Sequence, residues 1–464
     1  MKRKCYTIIN IKNCFYFFLY IFLNIFVFSK FKTFINKNYM KMTYFSSSKF
    51  RIKSFILVIY ILIVFLSEKF YRSYLFNKSI DIEKKIYENT SYITINIFKI
   101  ITNFGTITIL IPLVIIIHLL LPINISYTFL SVLILSCYFD NILKIIYSNP
   151  RPFWIEPSIK KECDGGFGNP SGHSFTSFST YLSLWNIIIE RPFFENKKFL
   201  KIILFIIFFI FSFLIALSRI YLSVHSINQI LFGSLLGMGL YFYFFHIIQL
   251  QKFNGKQFFK YITGNLEIKI HSIKFGIYLI LLFLVYFFKK YNSNKYDNIL
   301  HENCPEIPLY RKFKNDGFFV GLTIFFLIGA HYGLLFFINK IQVEKPFKNE
   351  EINKWTKENH LKIIIIQFLI LIPHFILMIL YFLIPENNIS LIILFPLKVI
   401  IPFLLTGGFM FGIFTYICIK YKYAYKQIYV IYRIGTEAEN NNSMSSIAIS
   451  VKIRDSNEVN NLNK

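Results

Sequence analysis

The chain has 464 residues, of which 55% are hydrophobic, and it includes 57 Phe and 31 Tyr. This composition and the positive mean hydropathy are typical of a polytopic membrane protein and argue against a soluble globular domain. The formal net charge is +27. No alternating basic and aromatic pattern accompanies that charge, so the sequence predicts no nucleic-acid partner.

Apolar stretches follow one another along most of the chain. They lie at residues 54–66, 98–121, 126–147, 172–190, 199–217, 227–248, 272–288, 317–338, 361–384 and 390–420. Most reach the roughly 20 residues that a helix needs to cross a bilayer core. Because lipid-facing backbone must satisfy its own hydrogen bonds, these stretches are expected to be helices. The predicted fold is an all-α, polytopic membrane helical bundle of about nine to eleven transmembrane helices.

Composition divides the chain into four segments. Residues 1–53 are basic and contain the apolar stretch Cys14–Phe28, which is either a signal sequence or a further membrane anchor. Residues 54–97 are predicted to hold an extra helix and a loop, and residues 98–420 the membrane domain. Residues 421–464 form a polar tail that is expected to be disordered and cytosolic.

A polar, turn-prone stretch, FGNPSGHSF at residues 167–175, stands directly before an apolar segment. Asn169 is a good helix cap, and Pro170 suits the first position of a helix. Ser171 and Gly172 would then offer free backbone N–H groups at the helix N-terminus, next to the hydroxyl and to His173. Such a helix start suits a phosphate-like anion. An ordinary capped helix that enters the membrane is the alternative.

Two further cationic clusters occur between apolar stretches. KIIYSNPRPFW contains Lys144 and Arg151, and SRIYLSVHSINQ contains Arg219, His225 and Gln229. If residues 172–190 cross the membrane and residues 199–217 return, all three clusters lie on the same membrane face. Three separate polar clusters at one face would be costly unless they served a function. The pattern therefore favours a shared anion site.

The residue types in these clusters suit phosphoryl transfer. Two arginines and one lysine can bind three phosphoryl oxygens, and the Ser171 hydroxyl and the Gly172 amide add donors. One histidine can attack phosphorus while the other protonates the leaving oxygen. No Asp, Glu or Cys cluster at metal-ligand spacing accompanies them, so the sequence predicts no metal or other cofactor.

These three clusters resemble the signature motifs of the type 2 phosphatidic-acid phosphatase and vanadium haloperoxidase superfamily. The resemblance spans about residues 144–229 and implies a helical bundle with metal-independent phosphoester hydrolysis. It also implies that His225 is the nucleophile that forms a phosphohistidine and that His173 is the general acid. The implied phosphate-binding residues are Lys144, Arg151, Ser171, Gly172 and Arg219.

Gln229 departs from the usual family pattern, which has an aspartate four residues after the nucleophile. On a helix, positions 225 and 229 share a face, so the amide oxygen of Gln229 is expected to accept the imidazole N–H of His225. Glutamine at this position is familiar in glucose-6-phosphatases and dolichyl-diphosphate phosphatases, and CDGGFGNPSGH (residues 163–173) is similar to the glucose-6-phosphatase version. This points to a sub-branch of the superfamily rather than to an inactive site.

The substrate class stays open at this stage. A lipid phosphate monoester, such as phosphatidic acid or a sphingoid-base phosphate, is the first expectation. A sugar phosphate and dolichyl diphosphate are the alternatives, with membrane lipids as surroundings in each case. A hypothesis from another class is a non-catalytic membrane protein whose clusters hold a phospholipid headgroup. Intact His173 and His225 count against it.

The distribution of charge and cysteine predicts the side of the site. Residues Ser29–Lys53 and the loops 249–271 and 339–360, on the opposite face, are rich in lysine. The positive-inside rule makes that face cytosolic, so the site is expected to be lumenal or extracellular, in the endoplasmic reticulum, another endomembrane or the plasma membrane. Cys163 and Cys304 both fall on the site side. In an oxidising compartment they are either joined in a disulfide or two unpaired loop thiols.

Overall fold

The computed structural model of the protein describes residues 48–160, 162–253, 255–289, 313–342 and 400–420, together with residues 300, 302, 304, 305, 307 and 365. Within these ranges the chain is mostly helical, and its one extended pairing is an isolated bridge between Gly166 and Phe313. The all-α class is therefore confirmed for the described part. Three predicted features lie outside it: the stretches Cys14–Phe28 and 361–384 and the polar tail.

The first described helix, α1 (Ser48–Asn89), is far longer than the apolar stretch 54–66 that predicted it. The predicted loop after this stretch is wrong, because no glycine or proline interrupts residues 48–89 and the helix continues through them. The phenol of Tyr60 donates to the Leu235 carbonyl at 2.7 Å, and Lys84 pairs with Glu156 at 2.7 Å. These contacts hold α1 along the bundle.

The stretch 98–121, predicted as one span, is a bent pair of helices. Helix α2 (Tyr92–Asn103) and helix α3 (Ile107–Leu120) meet at an angle of 43°. Gly105 lies in the break, where an added Cβ would come within 2.8 Å of Ile215 and 3.0 Å of the His173 ring. The break therefore lets the backbone approach one of the site histidines closely.

The centre of the structure is α6 (Gly172–Ile189). It packs against α4 (Ile123–Tyr147), α7 (Lys198–Tyr221) and α8 (Ile227–Phe242), and α8 continues as a π-helix over Tyr243–Ile248. Gly233 and Gly237 of α8 permit a close approach, since a Cβ at either residue would lie 2.5 Å from a carbonyl oxygen of the facing segment, Ser171 or Phe175. Helix α8 is thereby pressed against the start of α6.

The remaining described helices form a second group. They are α9 (Gly255–Thr263), α10 (Asn265–Phe288), α11 (Lys314–Gly321), α12 (Ile324–Gln342), α13 (Ile401–Gly408) and α14 (Thr415–Lys420), with a π-helix at Phe409–Phe414 between the last two. Helix α11 packs on α4, and α12 packs on α13. The second group therefore joins the first along α4.

Six helices of the described residues are long and apolar enough to cross a membrane, or seven if the bent pair of α2 and α3 is one span. Helix α6 is not among them, although it was predicted as a span. It carries many Ser and Thr hydroxyls and is surrounded by other helices, so most of its residues face protein. The described residues therefore do not establish the predicted number of nine to eleven.

An apolar cap covers the end of the bundle where α4 ends and α6 begins. It includes the short helix α5 (Pro152–Ile155), and its buried side chains are Phe153, Trp154, Ile159, Phe167, Leu222, Val224, Leu300, Cys304 and Phe313. A disulfide joins Cys163 to Cys304, which confirms the pairing that the sequence left open. The cap thus fixes the segment that leads into Ser171 to a distant part of the chain.

Candidate active site

The segment predicted to bind phosphate, residues 169–173, differs from the prediction at Asn169 and Pro170. Helix α6 begins at Gly172 with Ser171 as its N-cap, so Asn169 is not the cap and Pro170 is not in the helix. The Asn169 amide donates instead to Glu68 at 2.9 Å and to the side-chain oxygen of Asn149 at 3.1 Å. These long-range partners hold Asn169 in the segment before the helix.

Ser171 lies at the contact between α6 and α8. It is fully buried, and its backbone N–H donates to the Gln229 carbonyl at 3.0 Å. The Ser174 hydroxyl donates to the Ser171 hydroxyl oxygen at 3.1 Å. The start of α6 is thus joined to the turn of chain that carries His225.

His225 lies in the turn between α7 and α8 and is 1% exposed. Its Nδ1 lies 2.9 Å from the Gly168 carbonyl oxygen and 3.2 Å from Oε1 of Gln229. Because a carbonyl only accepts, Nδ1 carries the proton and Nε2 of the neutral ring carries the lone pair. The tautomer therefore leaves Nε2 available as a nucleophile.

Gln229 is held by three further contacts, and it accepts from His225 as the sequence predicted. Its Nε2 donates to the Pro150 carbonyl at 2.8 Å, and its Oε1 accepts from the Ser226 backbone N–H at 3.2 Å. With the Ser226 hydroxyl it forms a capping box at the start of α8. Gln229 thus connects the His225 turn to the segment carrying Arg151.

Arg151 is 1% exposed and contacts Nε2 of His225. Its NH1 lies 3.1 Å from Nε2 of His225 and donates to the Val224 carbonyl at 3.0 Å, and its Nε donates to the Gly166 carbonyl at 2.6 Å. NH2 forms an ion pair with Asp164 at 2.8 Å. The guanidinium therefore lies where an anion on His225 would bind.

The two other predicted cations, Lys144 and Arg219, also have acidic neighbours. Lys144 pairs with Asp140 at 2.9 Å, and an added Cβ on Gly172 would lie 3.2 Å from the lysine nitrogen. Arg219 donates to the Thr102 hydroxyl at 2.7 Å and lies 3.8 Å from Glu162, while its buried Nε has no partner among the described residues. One N–H of Arg219 is thus left for a further acceptor.

His173 is the second residue of α6 and is partly exposed. Its ring lies against Gly105, on the side of α6 that faces the break between α2 and α3. Burial lowers the pKa of both His225 and His173 well below the ordinary value, and the charges of Arg151, Arg219 and Lys144 lower both further. The two histidines therefore share one electrostatic environment, in which both are neutral in the free protein. A bound phosphate would offset the three cations and so favour the protonated form of His173.

Sequence analysis did not find the acids of the site. Asp140 stands four residues before Lys144, a spacing that places both on one face of a helix, so a signal existed. Glu162 and Asp164 flank Cys163 in the cap, and their pairing with distant arginines depends on tertiary structure. Among the described residues, no group of three or more His, Cys, Asp or Glu is placed to hold a metal ion.

Comparison with known proteins identifies this part of the chain. Residues 126–253 match the PAP2 superfamily, and the match includes all eight predicted site residues. This region is similar to PAP2 domains. The family resemblance seen in the sequence is thereby confirmed for α4 to α8, and helices α1 to α3 lie outside the matched residues.

Three curated proteins are similar to part of this chain. The dolichyldiphosphatase of Saccharomyces cerevisiae is 30% identical over 116 residues, which cover 24% of this chain and 48% of the yeast protein. Glucose-6-phosphatase catalytic subunit 1 is 26% identical over 176 residues in Bos taurus, covering 33% of this chain and 47% of that protein. The Felis catus subunit is 28% identical over 173 residues, with coverages of 33% and 46%. The chain thus spans about half the length of the relatives it matches.

One solved structure is also similar, the transmembrane PAP2-type phosphatidylglycerolphosphate phosphatase from Bacillus subtilis. It is 21% identical and aligns with a TM-score of 0.37, covering 42% of this chain and 96% of the bacterial one.

Proposed function

We propose that the protein is an integral-membrane, metal-independent phosphatase that works through a phosphohistidine on His225. The arrangement of the His225 ring is the main support. Its Nδ1–H is held by Gly168 and Gln229, and its Nε2 faces the guanidinium of Arg151. An imidazole fixed in this tautomer beside a buried cation is suited to attack a phosphorus atom whose oxygens the cation binds.

The proposed reaction has two steps. In the first, Nε2 of His225 forms a bond to phosphorus, the P–O bond to the substrate alcohol breaks, and His173 gives its proton to that oxygen. In the second, a water gives a proton to His173 and its oxygen attacks phosphorus, so that the P–N bond breaks and inorganic phosphate leaves. Neither step consumes an oxidant, a reductant or a metal.

The phosphoryl oxygens would be held by the cations and by the helix start. Arg151, Arg219 and Lys144 would neutralise charge on the oxygens, and the Ser171 hydroxyl and the Gly172 N–H would add donors. In the free protein each of the three cations lies near a carboxylate. The incoming phosphate would therefore replace Asp164 on Arg151 and Glu162 near Arg219.

The first substrate we propose is a lipid phosphate monoester, such as phosphatidic acid or a sphingoid-base phosphate, because the site is built on helices suited to a membrane. The second candidate is a sugar phosphate. It is favoured by Glu162 and Asp164, whose carboxylates would accept hydrogen bonds from sugar hydroxyls after the phosphate had displaced them. The relative named glucose-6-phosphatase also favours a sugar phosphate, and the relative named dolichyldiphosphatase adds dolichyl diphosphate to the candidates.

Phosphate release by the purified full-length protein in detergent tests this proposal. Phosphatidate, sphingosine phosphate, glucose 6-phosphate and dolichyl diphosphate would be compared in the presence of a metal chelator. We expect turnover of at least one substrate and an acid-labile phosphoenzyme, and we expect His225→Ala to abolish both. Substantial turnover by His225→Ala would contradict the mechanism, and binding of these compounds without turnover would favour the non-catalytic alternative.

We further propose that the site faces the lumen of the endoplasmic reticulum, another oxidising endomembrane compartment or the cell exterior. The Cys163–Cys304 disulfide in the cap over the site supports this, because such bonds persist in oxidising compartments. Labelling of a cysteine introduced at Ser158, a cap residue, by an impermeant reagent in sealed microsomes measures the side. Labelling without permeabilisation would place the cap in the cytosol and overturn the proposal.

A further inference from the structure

A fully buried acid, Glu68, lies in the middle of α1, outside the residues that match the PAP2 superfamily. An ionisable side chain at this position of an apolar helix is costly unless it is paired. Arg72, one helical turn further on, binds both of its carboxylate oxygens, with Nε 2.6 Å from Oε1. The Arg72 guanidinium also lies 4.6 Å from the centre of the Tyr147 ring, at the end of α4. The pair is thus a built feature of the contact between α1 and the region similar to PAP2 domains.

A continuous series of hydrogen bonds leads from this acid to the nucleophile. Oε1 of Glu68 accepts from the Asn169 amide at 2.9 Å, and the same amide nitrogen donates to Oδ1 of Asn149 at 3.1 Å. The Asn149 carbonyl accepts from the Gly168 N–H at 2.9 Å, and the Gly168 carbonyl lies 2.9 Å from Nδ1 of His225. Glu68 therefore holds the segment whose carbonyl fixes the His225 tautomer.

We propose that Glu68 is a positioning residue for catalysis, acting through Asn169 on the Gly168 carbonyl and hence on His225. The inference rests on the proposed phosphatase function. Arg72 pairs with the buried carboxylate, and that carboxylate gives Asn169 a hydrogen-bond acceptor on α1. Helix α1 would then be part of the catalytic framework rather than an accessory anchor.

Two substitutions distinguish the hydrogen-bond acceptor that Glu68 offers to Asn169 from the negative charge that it presents to Arg72. Glu68→Gln keeps an oxygen for Asn169 but weakens the pairing with Arg72, whereas Glu68→Met keeps the size of the side chain and removes both. With one hydrogen bond contributing about 1 kcal/mol, we expect Glu68→Met to lower kcat about fivefold to tenfold per active site. Glu68→Gln should stay within about threefold of the wild type on the same scale, although its Tm should also fall. The matched controls are Glu88→Gln and Glu88→Met, at an exposed acid of the same helix.

The measurement is kcat and KM normalised to the amount of acid-labile phosphoenzyme, so that misfolded protein does not count. Asn169→Ala should lower kcat as Glu68→Met does, and the double variant should lose no more than either single one, because both break the same contact. Equal losses in Glu68→Gln and Glu68→Met would overturn the proposal. So would a normal kcat per active site in Glu68→Met, which would leave only a role in stability.

A second measurement keeps this test separate from the phosphatase proposal. Inorganic phosphate should raise the Tm of the wild-type protein, and Glu68→Met should reduce that rise while the Glu88 controls do not. If the wild type forms no phosphoenzyme, the phosphatase proposal fails, and the phosphate-dependent Tm still reports on the segment that carries Ser171. An unchanged phosphate effect in Glu68→Met would then count against the positioning role.

Discussion

Gln229 is the residue at which the structure gives the sharpest quantitative expectation. The N–H of His225 has two acceptors, the Gly168 carbonyl at 2.9 Å and the longer contact to Gln229 at 3.2 Å. Gln229→Met keeps the volume of the side chain and, of the two acceptors of His225, removes the second and leaves the first. Since a neutral hydrogen bond contributes about 1 kcal/mol, the chemical step should slow about fivefold. The effect is small because Gly168 still holds the ring.

The same substitution should affect stability more than catalysis. It leaves the Pro150 carbonyl and the Ser226 N–H without the partners that Gln229 provides, and unsatisfied buried groups cost about 1–3 kcal/mol each. Single-turnover phosphoenzyme formation measures the chemical step, and thermal unfolding in detergent measures stability. A rate loss of a thousandfold with an unchanged KM would refute this reasoning, because Gln229 rather than Gly168 would then hold the imidazole. Gln229→Asp should stay active and raise the pKa of His225, since a carboxylate stabilises the imidazolium.

Four further expectations follow from the site. Burial and nearby cations lower the pKa of His225, so the proposed nucleophile stays neutral as the pH falls through about 6.5. The acidic limb of the profile of kcat/KM against pH, corrected for substrate ionisation, should therefore lie below the ordinary histidine pKa of about 6.5. An acidic limb at about pH 7 would contradict this. His173→Ala should slow an alkyl phosphate much more than p-nitrophenyl phosphate, whose leaving group needs no proton, and equal losses would exclude a general acid. Asp164→Asn keeps an oxygen for the Gly166 N–H but removes the negative charge that competes with phosphate for Arg151. It should therefore lower the inhibition constant of inorganic phosphate about threefold to tenfold. Asp81→Asn, at an exposed acid, is the control, and an unchanged inhibition constant in Asp164→Asn would contradict the expectation. Cys304→Ser opens a disulfide that closes 141 residues and should lower Tm and raise KM, whereas an unchanged KM would show that the cap does not position the site.

The residues of the candidate site were predictable because their types and spacing are local. Lys144, Arg151, His173, Arg219 and His225 stand in three short motifs, and the alternation of apolar stretches was enough to predict that they meet. The same counting of crossings placed Cys163 and Cys304 on one side of the membrane, which left a disulfide and two unpaired thiols as alternatives; the structure decides between them, with a Cα–Cα distance of 5.8 Å. These predictions depend on the side of the membrane at which each segment emerges, and hydropathy predicts the order of membrane crossings well.

Features that depend on long-range packing were not predictable. The start of α6 was placed two residues too early because capping preference alone favoured Asn169, whereas its amide is held by Glu68, 101 residues away. The full length of α1 was missed because its second half is polar, and polarity was interpreted as a loop although the segment contains no helix breaker. Local propensity gave the kind of element, and tertiary contacts decided where it began and ended.

The acids around the cations show why a buried phosphate site needs more than its positive charges. Arg151 and Arg219 are 1% and 3% exposed, and buried charges without partners are strongly destabilising. In the free protein, carboxylates must therefore stand near them, and Glu162 and Asp164 do so from a loop that the Cys163–Cys304 disulfide fixes. In the proposed mechanism a phosphate would bind by replacing these carboxylates, so its affinity would be the difference between two favourable interactions rather than the full attraction of the cations. The site could then release inorganic phosphate after each turnover, which a site with uncompensated cations would retain.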